Sequence, residues 1–233
     1  MTEDPTTSHR RAAPGRTAAD DYPSIDLARI REVLGHPTPF IAEKKEPYLG
    51  EFSTRFIAHS TFRVVASADE NGRLDTSPKG DPPGSVRVLD PWTLALPERP
   101  GNRLADTFEN ICRNPAVGLA FFVPGVREVL RVNGDAFVTD DPDLLERLGA
   151  EGRPAELATI VRVREVFGQC GKAVVRARLW EGDARHLADA LTLGGSFAGL
   201  TVAENAGKLA RSLGAQVSTL EATLEDHYTH GLY

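Results

Sequence analysis

The stretch Leu94-Ala95-Leu96-Pro97-Glu98-Arg99-Pro100-Gly101-Asn102-Arg103 leaves an apolar strand pattern, passes through a Pro/Gly turn and enters a helical pattern. A helix start presents unpaired N–H groups and the positive end of the peptide dipole. Arg99, Asn102 and Arg103 at that place would add donors to a phosphate-sized anion site. Charge-assisted hydrogen bonds contribute about 1.5–3 kcal/mol each, so two arginines and a few amides suffice to fix a phosphorylated ligand without a Walker-type loop. In the competing arrangement these arginines face solvent beside Glu98 and Asp106.

Two further stretches carry usable chemistry. Ser77-Pro78-Lys79-Gly80-Asp81-Pro82-Pro83-Gly84 is rich in proline and glycine, which argues against strand hydrogen bonding there. It would set backbone groups and Lys79 against a flat ligand, or form a plain turn. Phe167-Gly168-Gln169-Cys170-Gly171-Lys172-Ala173 is a glycine-flanked break between two strand patterns. Cys170 reads there as a small structural hydrophobe in preference to a nucleophile, and Lys172 as a positive charge near a ligand. The six histidines form no HExxH pair, so no metal site is expected, and His227 with His230 reads as surface. Neither GxSxG nor GxGxxG occurs. With no protein-borne catalytic machinery in view, a cofactor would carry the chemistry.

The elements that must hold these residues follow from hydrophobic period. Residues 1–22 show none and read as a disordered tail. Ser24 is placed to cap a helix with Leu27, Ile30 and Leu34 on one face, ended by Gly35 and Pro37. Strands at 61–68 and 73–79 flank Asp69-Glu70-Asn71-Gly72, where Asn-Gly would supply the positive φ angles of a hairpin. Further strands are expected at 85–89, 92–96, 117–123, 128–138, 157–167 and 172–179. Only two helices interrupt them. One spans 103–113, with Leu104, Phe108 and Ile111 on one face; the other starts at Asp141-Pro142 and stops at Gly149. The pattern describes an α+β antiparallel barrel over 23–182, N-terminal helix included, followed by a helical Ala/Leu-rich extension over 183–233 that packs on the barrel or on a second subunit.

Composition sets the outer limits. The 233 residues carry 27 Lys+Arg against 33 Asp+Glu, a formal charge of −6, which disfavours nucleic acid as the main partner. Only Lys44, Lys45, Lys79, Lys172 and Lys208 are lysines; the other basic residues are arginines. Cys112 and Cys170 offer no disulfide framework and suit a reducing cytoplasm. No apolar run is long enough to span a membrane, and the first 20 residues lack the apolar centre of a signal peptide.

Several motifs in order resemble the pyridoxamine 5'-phosphate oxidase-like family, the FMN-binding split barrels, within it a bacterial branch of FMN-dependent enzymes of unknown substrate. They are Arg55-Phe56-Ile57, Asp75-Thr76-Ser77-Pro78-Lys79-Gly80-Asp81, Val86-Arg87-Val88-Leu89-Asp90, the 96–103 turn, Asn110-Ile111 with Asn114-Pro115, Leu130-Arg131-Val132-Asn133-Gly134 and Cys170-Gly171-Lys172-Ala173. The resemblance covers about residues 40–180. It implies a homodimer with two FMN molecules in the interface, the phosphate held by Arg99, Asn102 and Arg103. Ser77, Pro78 and Lys79 would line the flavin ring and ribityl chain, and Leu96 and Pro97 would complete that wall. Arg131, Asn133, Cys170 and Lys172 are the candidates to close the pocket from the other subunit.

The chain also departs from the family. True pyridoxamine-phosphate oxidases end in an Arg- and Trp-bearing stretch that grips substrate phosphate, whereas this sequence ends in Glu225-Asp226-His227-Tyr228-Thr229-His230-Gly231-Leu232-Tyr233. Vitamin B6 oxidation is therefore not expected. Similar folds hold deazaflavin F420 or haem in the same crevice; the phosphate turn favours FMN. The resulting expectation is a cytoplasmic FMN-dependent oxidoreductase of flavin reductase or oxidase type, acting on a small organic molecule with NAD(P)H as one possible donor. The alternative is a non-enzymic flavin- or haem-binding carrier, store or sensor.

Overall fold

The computed structural model describes residues 15, 17–101 and 103–180. Asn102 and the 183–233 extension lie outside the described residues, as does most of the 1–22 stretch, in whose last part Ala18–Asp21 forms one exposed 3₁₀ turn. The chain divides into two compact units, Met1–Glu43 and Lys44–Tyr233. The N-terminal helix falls in the first of these. In it, α1 (Leu27–Leu34) is capped by Asp26, whose carboxylate accepts from the Arg29 N–H at 2.8 Å; Ser24 is not the cap. Gly35 ends the helix at φ 70°. A single turn, α2 (Pro39–Ala42), follows.

The second unit opens with α3 (Glu51–His59) and continues through β1 (Phe62–Ala68), β2 (Leu74–Gly80), β3 (Arg87–Asp90), β4 (Thr93–Pro97), α4 (Asp106–Arg113), β5 (Ala116–Phe122), β6 (Val129–Thr139), α5 (Pro142–Arg147), β7 (Ala158–Gln169) and α6 (Lys172–Ala177). The strands form one antiparallel sheet in the order β2-β1-β5-β6-β7-β4-β3. This is the expected α+β class. Strands β1, β5 and β6 alternate buried and exposed positions, as strands with one face on a core must. Strand β4 is buried on both faces because Leu94 and Leu96 enter the main core, while Ala95 packs with Leu148, Ala158 and Ile160 beneath α5.

Strands β2 and β4 share no backbone ladder, yet their C-terminal ends meet through side chains. Lys79 Nζ lies 2.8 Å from Glu98 Oε2, and Arg99 Nε 2.8 Å from Asp81 Oδ2. The sheet curls until these two ends face each other, and ion pairs bridge the gap where backbone pairing does not.

Several local expectations change. Residues 172–177 are a helix and not a strand: both neighbours of β7 are already taken by β6 and β4, so a strand after Gly171 would have no place beside it. Helix α4 starts at Asp106, so Leu104 lies outside it and is 62% exposed, and the buried face is Thr107, Asn110 and Ile111. Helix α3 was not anticipated; its apolar stripe is short, with Phe56 and Ile57 buried and Phe52 exposed. In the β1–β2 hairpin only Gly72 takes a positive φ, 78°, and Asn71 does not. Asp69 makes that turn, accepting the N–H groups of Asn71 and Arg73 on Oδ1 at 2.8 Å each. Finally, β2 hydrogen-bonds as a strand to Gly80 despite Pro78. Among the described residues it is an edge strand bordered only by β1, and a residue without an N–H is tolerated at an open edge.

Candidate functional site

A cleft of about 440 Å³ opens between β2, the 98–105 loop and the start of α4. Its wall on β2 is Asp75 to Lys79; the loop supplies Glu98, Arg99, Gly101, Arg103, Leu104 and Ala105, and α4 supplies Asp106, Thr107 and Phe108. The size lies within the roughly 300–1,000 Å³ of small-molecule sites.

Local structure explains how these walls are held. Glu98 prolongs the β4–β7 ladder, donating its N–H to Leu157 O at 2.9 Å, and Asp81 prolongs the β1–β2 ladder by donating to Thr61 O at 3.0 Å. The two carboxylates therefore sit on fixed backbone. Helix α4 is docked on the hairpin by Thr107 Oγ1, which donates to Asp75 Oδ2 at 2.8 Å, and by Asn110 Nδ2, which donates to Ser67 Oγ at 3.1 Å. Between the ladder and the helix, Arg103 and Ala105 take left-handed φ values of 61° and 58°. Such values are costly for residues with a Cβ and cluster where a loop is shaped for a purpose. Ala105 stands at the N-cap of α4 and provides no side-chain cap.

The five charges at the gap between β2 and β4 form one cluster. Lys79 Nζ donates to both oxygens of Glu98, at 2.9 and 2.8 Å, and lies 5.7 Å from the centre of the Phe108 ring. The Asp81 side chain is 1% exposed and its Oδ1 has no hydrogen-bond partner among the described residues. Arg63, 3% exposed, points into the same region, with its Nε unpartnered among the described residues. Burial lowers the Arg63 pKa, opposed by the nearby carboxylates of Asp81 and Glu98.

Of the residues expected from the sequence, Ser77, Pro78, Lys79, Arg99 and Arg103 line the cleft together. Lys79 and Arg99 are engaged in ion pairs and are not the free donors expected; Arg103 makes no ion pair or hydrogen bond among the described residues. Leu96 and Pro97 are buried behind the cleft, around a small void of about 20 Å³ shared with Arg63 and Lys79. Asn102 lies outside the described residues.

Arg131, Asn133, Cys170 and Lys172 do not line this cleft in their own chain. Arg131 and the two lysines Lys44 and Lys45 surround the Phe167 ring at 4.9 to 5.2 Å. Asn133 donates to Glu165 Oε1 at 2.8 Å, and Lys45 pairs with the other oxygen at 2.8 Å. The Lys45 hydrogen bond is the main cause of the lowered Glu165 pKa, with Asn133 assisting. Cys170 is exposed, which removes the reading of it as a packed hydrophobe. Its thiol pKa is lowered, chiefly by the Lys172 backbone N–H. Lys172 lines a separate hollow with Arg127 and Arg176.

Sequence reasoning missed Arg63, Thr107 and the pairing role of Asp81. A signal for Arg63 existed: it shares the buried phase of β1 with Val65 and Ser67, so a charge on that phase calls for a partner inside.

An antiparallel α+β sheet with a cleft at a helix start defines the class. A family model described as pyridoxamine 5'-phosphate oxidase matches residues 49–170, more than half of the chain. The protein belongs to that family. Among solved structures it is similar to HupZ of Group A Streptococcus, at 22% identity and TM-score 0.43 over 52% of this chain and 94% of that one. It is also similar to a candidate pyridoxamine 5'-phosphate oxidase of Lactobacillus delbrueckii, at 28% identity and TM-score 0.42 over 53% and 98%. An FMN-binding protein of Syntrophomonas wolfei matches at 10% identity and TM-score 0.38 over 48% and 80%. No curated protein matches the chain.

Proposed function

We propose that this protein is an FMN-dependent oxidoreductase of flavin reductase or oxidase type, working in the cytoplasm on a small organic substrate, with NAD(P)H as the electron donor to test first. The observation that carries the reading is the cleft itself. It combines Arg103, unpaired among the described residues, the start of α4, to which Ala105 gives no side-chain cap, the β2 residues Thr76 and Ser77, and an apolar contribution from Pro78 and Phe108. That donor set fits a planar ligand with an anionic phosphate tail.

Arg103 and the first N–H groups of α4 would hold the phosphate, with Asn102 beside them. Thr76, Ser77, Pro78 and Lys79 would line the ring and ribityl chain, backed by Leu96 and Pro97. Arg99, on the cleft wall, would neutralise Asp81 and so keep a buried carboxylate from repelling the phosphate. Lys79 does the same for Glu98. Bound FMN would supply hydride and single-electron transfer, and the protein would supply orientation and a fixed field. We assign the closing wall to a second subunit, through Arg131, Asn133, Cys170 and Lys172. A partner wall suits the charge balance, since Asp75, Glu98, Asp106 and Glu156 outnumber Lys79, Arg99 and Arg103 in the cleft of one chain.

The test is the visible spectrum of the purified protein, with mass spectrometry of any released cofactor. A flavin spectrum and released FMN are expected, followed by bleaching on anaerobic mixing with NADH or NADPH. A colourless protein that takes up no added FMN overturns the proposal; a Soret band puts haem in its place. FMN bound but unbleached by either donor favours a carrier, store, sensor or an oxidase with another substrate.

A further inference from the structure

The void of about 20 Å³ behind the cleft shares Lys79, Glu98, Thr107 and Phe108 with it. The rest of its wall is apolar, with Val65, Leu96, Leu119 and Val161 from the main core, apart from two polar residues, Arg63 and Thr159. Arg63 is 3% exposed; among the described residues its Nε has no hydrogen-bond partner and its guanidinium forms no ion pair. The other two cations of the cluster, Lys79 and Arg99, each have a carboxylate at 2.8 Å. Three cations thus meet two carboxylates, and the excess positive charge rests on Arg63, the most deeply buried of the three.

A buried charge without a counter-charge is costly, and the cost is far larger than that of an unmade hydrogen bond. Water on Arg63 would satisfy the N–H and leave the charge; an anion answers both. Size narrows the class of anion. A cavity needs roughly 10–15 Å³ to hold one water, so this void takes one atom-sized occupant and has no room for phosphate or sulfate. The lining narrows it further, because apolar walls disfavour a strongly hydrated ion, and a guanidinium is itself weakly hydrated. Glu98 on the same wall does not cancel the attraction: both its oxygens accept from Lys79 Nζ. Asp75 and Asp106 line the open cleft and not the void.

We infer that the void is a site for one weakly hydrated monovalent anion, chloride or bromide, held by Arg63 with Thr159 beside it. Occupancy brings the cluster to neutrality. Without it, Arg63 competes with Lys79 and Arg99 for their carboxylates, so the anion also steadies the ion pairs that join the ends of β2 and β4. The inference does not depend on which cofactor the cleft takes, since Arg103 and its phosphate site lie on the open side.

The experiment uses the full chain in gluconate buffer, titrated with sodium chloride while the width of the chloride NMR resonance is followed. The wild type should broaden the line, Arg63→Met should not, and added inorganic phosphate should leave the wild-type broadening unchanged. Replacing about 0.2 M gluconate by bromide should also raise the wild-type melting temperature by about 2–6 °C and leave that of Arg63→Met in place. Equal broadening by the two proteins, or equal melting in the two salts, overturns the inference. Displacement of chloride by phosphate overturns it too, because it puts the ion in the open cleft at Arg103. Should Arg63→Met fail to fold, Val161→Ile fills the void by one methyl group and keeps every charge; lost broadening there supports the site, and retained broadening overturns it.

Discussion

Arg99 and Arg103 lie in one loop and have different jobs. Arg99 neutralises Asp81, whose side chain is 1% exposed, so Arg99→Ala leaves a buried carboxylate without a partner. Removing one member of a buried pair costs about 3–5 kcal/mol, and urea or thermal unfolding should register a loss of that order. Arg103 is exposed and unpaired among the described residues. Arg103→Ala should leave unfolding unchanged and weaken FMN binding about 10- to 150-fold, the equivalent of one charge-assisted contact of about 1.5–3 kcal/mol. Fluorescence titration of apoprotein with FMN checks this, and unchanged affinity moves the phosphate elsewhere. The positions of both arginines in the cleft were legible from a strand-turn-helix pattern, because that pattern is local. Their difference was not, because it depends on Asp81, which only the folded chain brings to Arg99.

At the scale of elements, the β6–β7 pair bends at a bulge between Asn133 and Gly134. A Cβ at Gly134 would fall inside contact distance of the Arg162 carbonyl oxygen. Gly134→Ala should therefore destabilise the protein by about 1–3 kcal/mol, as overpacked sites do, measured by chemical denaturation. The β1–β2 hairpin carries a pH dependence. Asp69 accepts backbone N–H groups, that of Arg73 foremost, and its pKa is lowered below the ordinary carboxyl value of about 3.9. A group depressed on folding stabilises fully above its unfolded value, and that stabilisation is lost as pH falls through the folded value. Unfolding of wild type and Asp69→Asn, followed from pH 7 to 2, should show the wild-type advantage shrinking below about pH 4. Strands with clean alternation, β1, β5 and β6, were readable because burial on one face writes a period of two into the sequence. The segment after Gly171 alternates too, but sheet order left it no neighbour, and α3 escaped notice because its stripe spans only two turns.

For the whole molecule, the ion pairs across the gap do what a backbone ladder does elsewhere, while leaving the ends of β2 and β4 separate. If a second subunit closes the cleft, light scattering should give twice the chain mass, and dissociating the dimer should release FMN in parallel; FMN retained by a monomer would place all its contacts in one chain. Among the described residues the sheet also has two unpaired edges, β2 and β3. Unpaired edges recruit strands from other molecules and seed fibrils. Pro78 stands midway along β2 and offers no N–H to an incoming strand. The residue that lines the candidate cofactor cleft thus also guards solubility: Pro78→Val should leave the melting temperature near its wild-type value while raising turbidity and amyloid-dye binding on prolonged incubation.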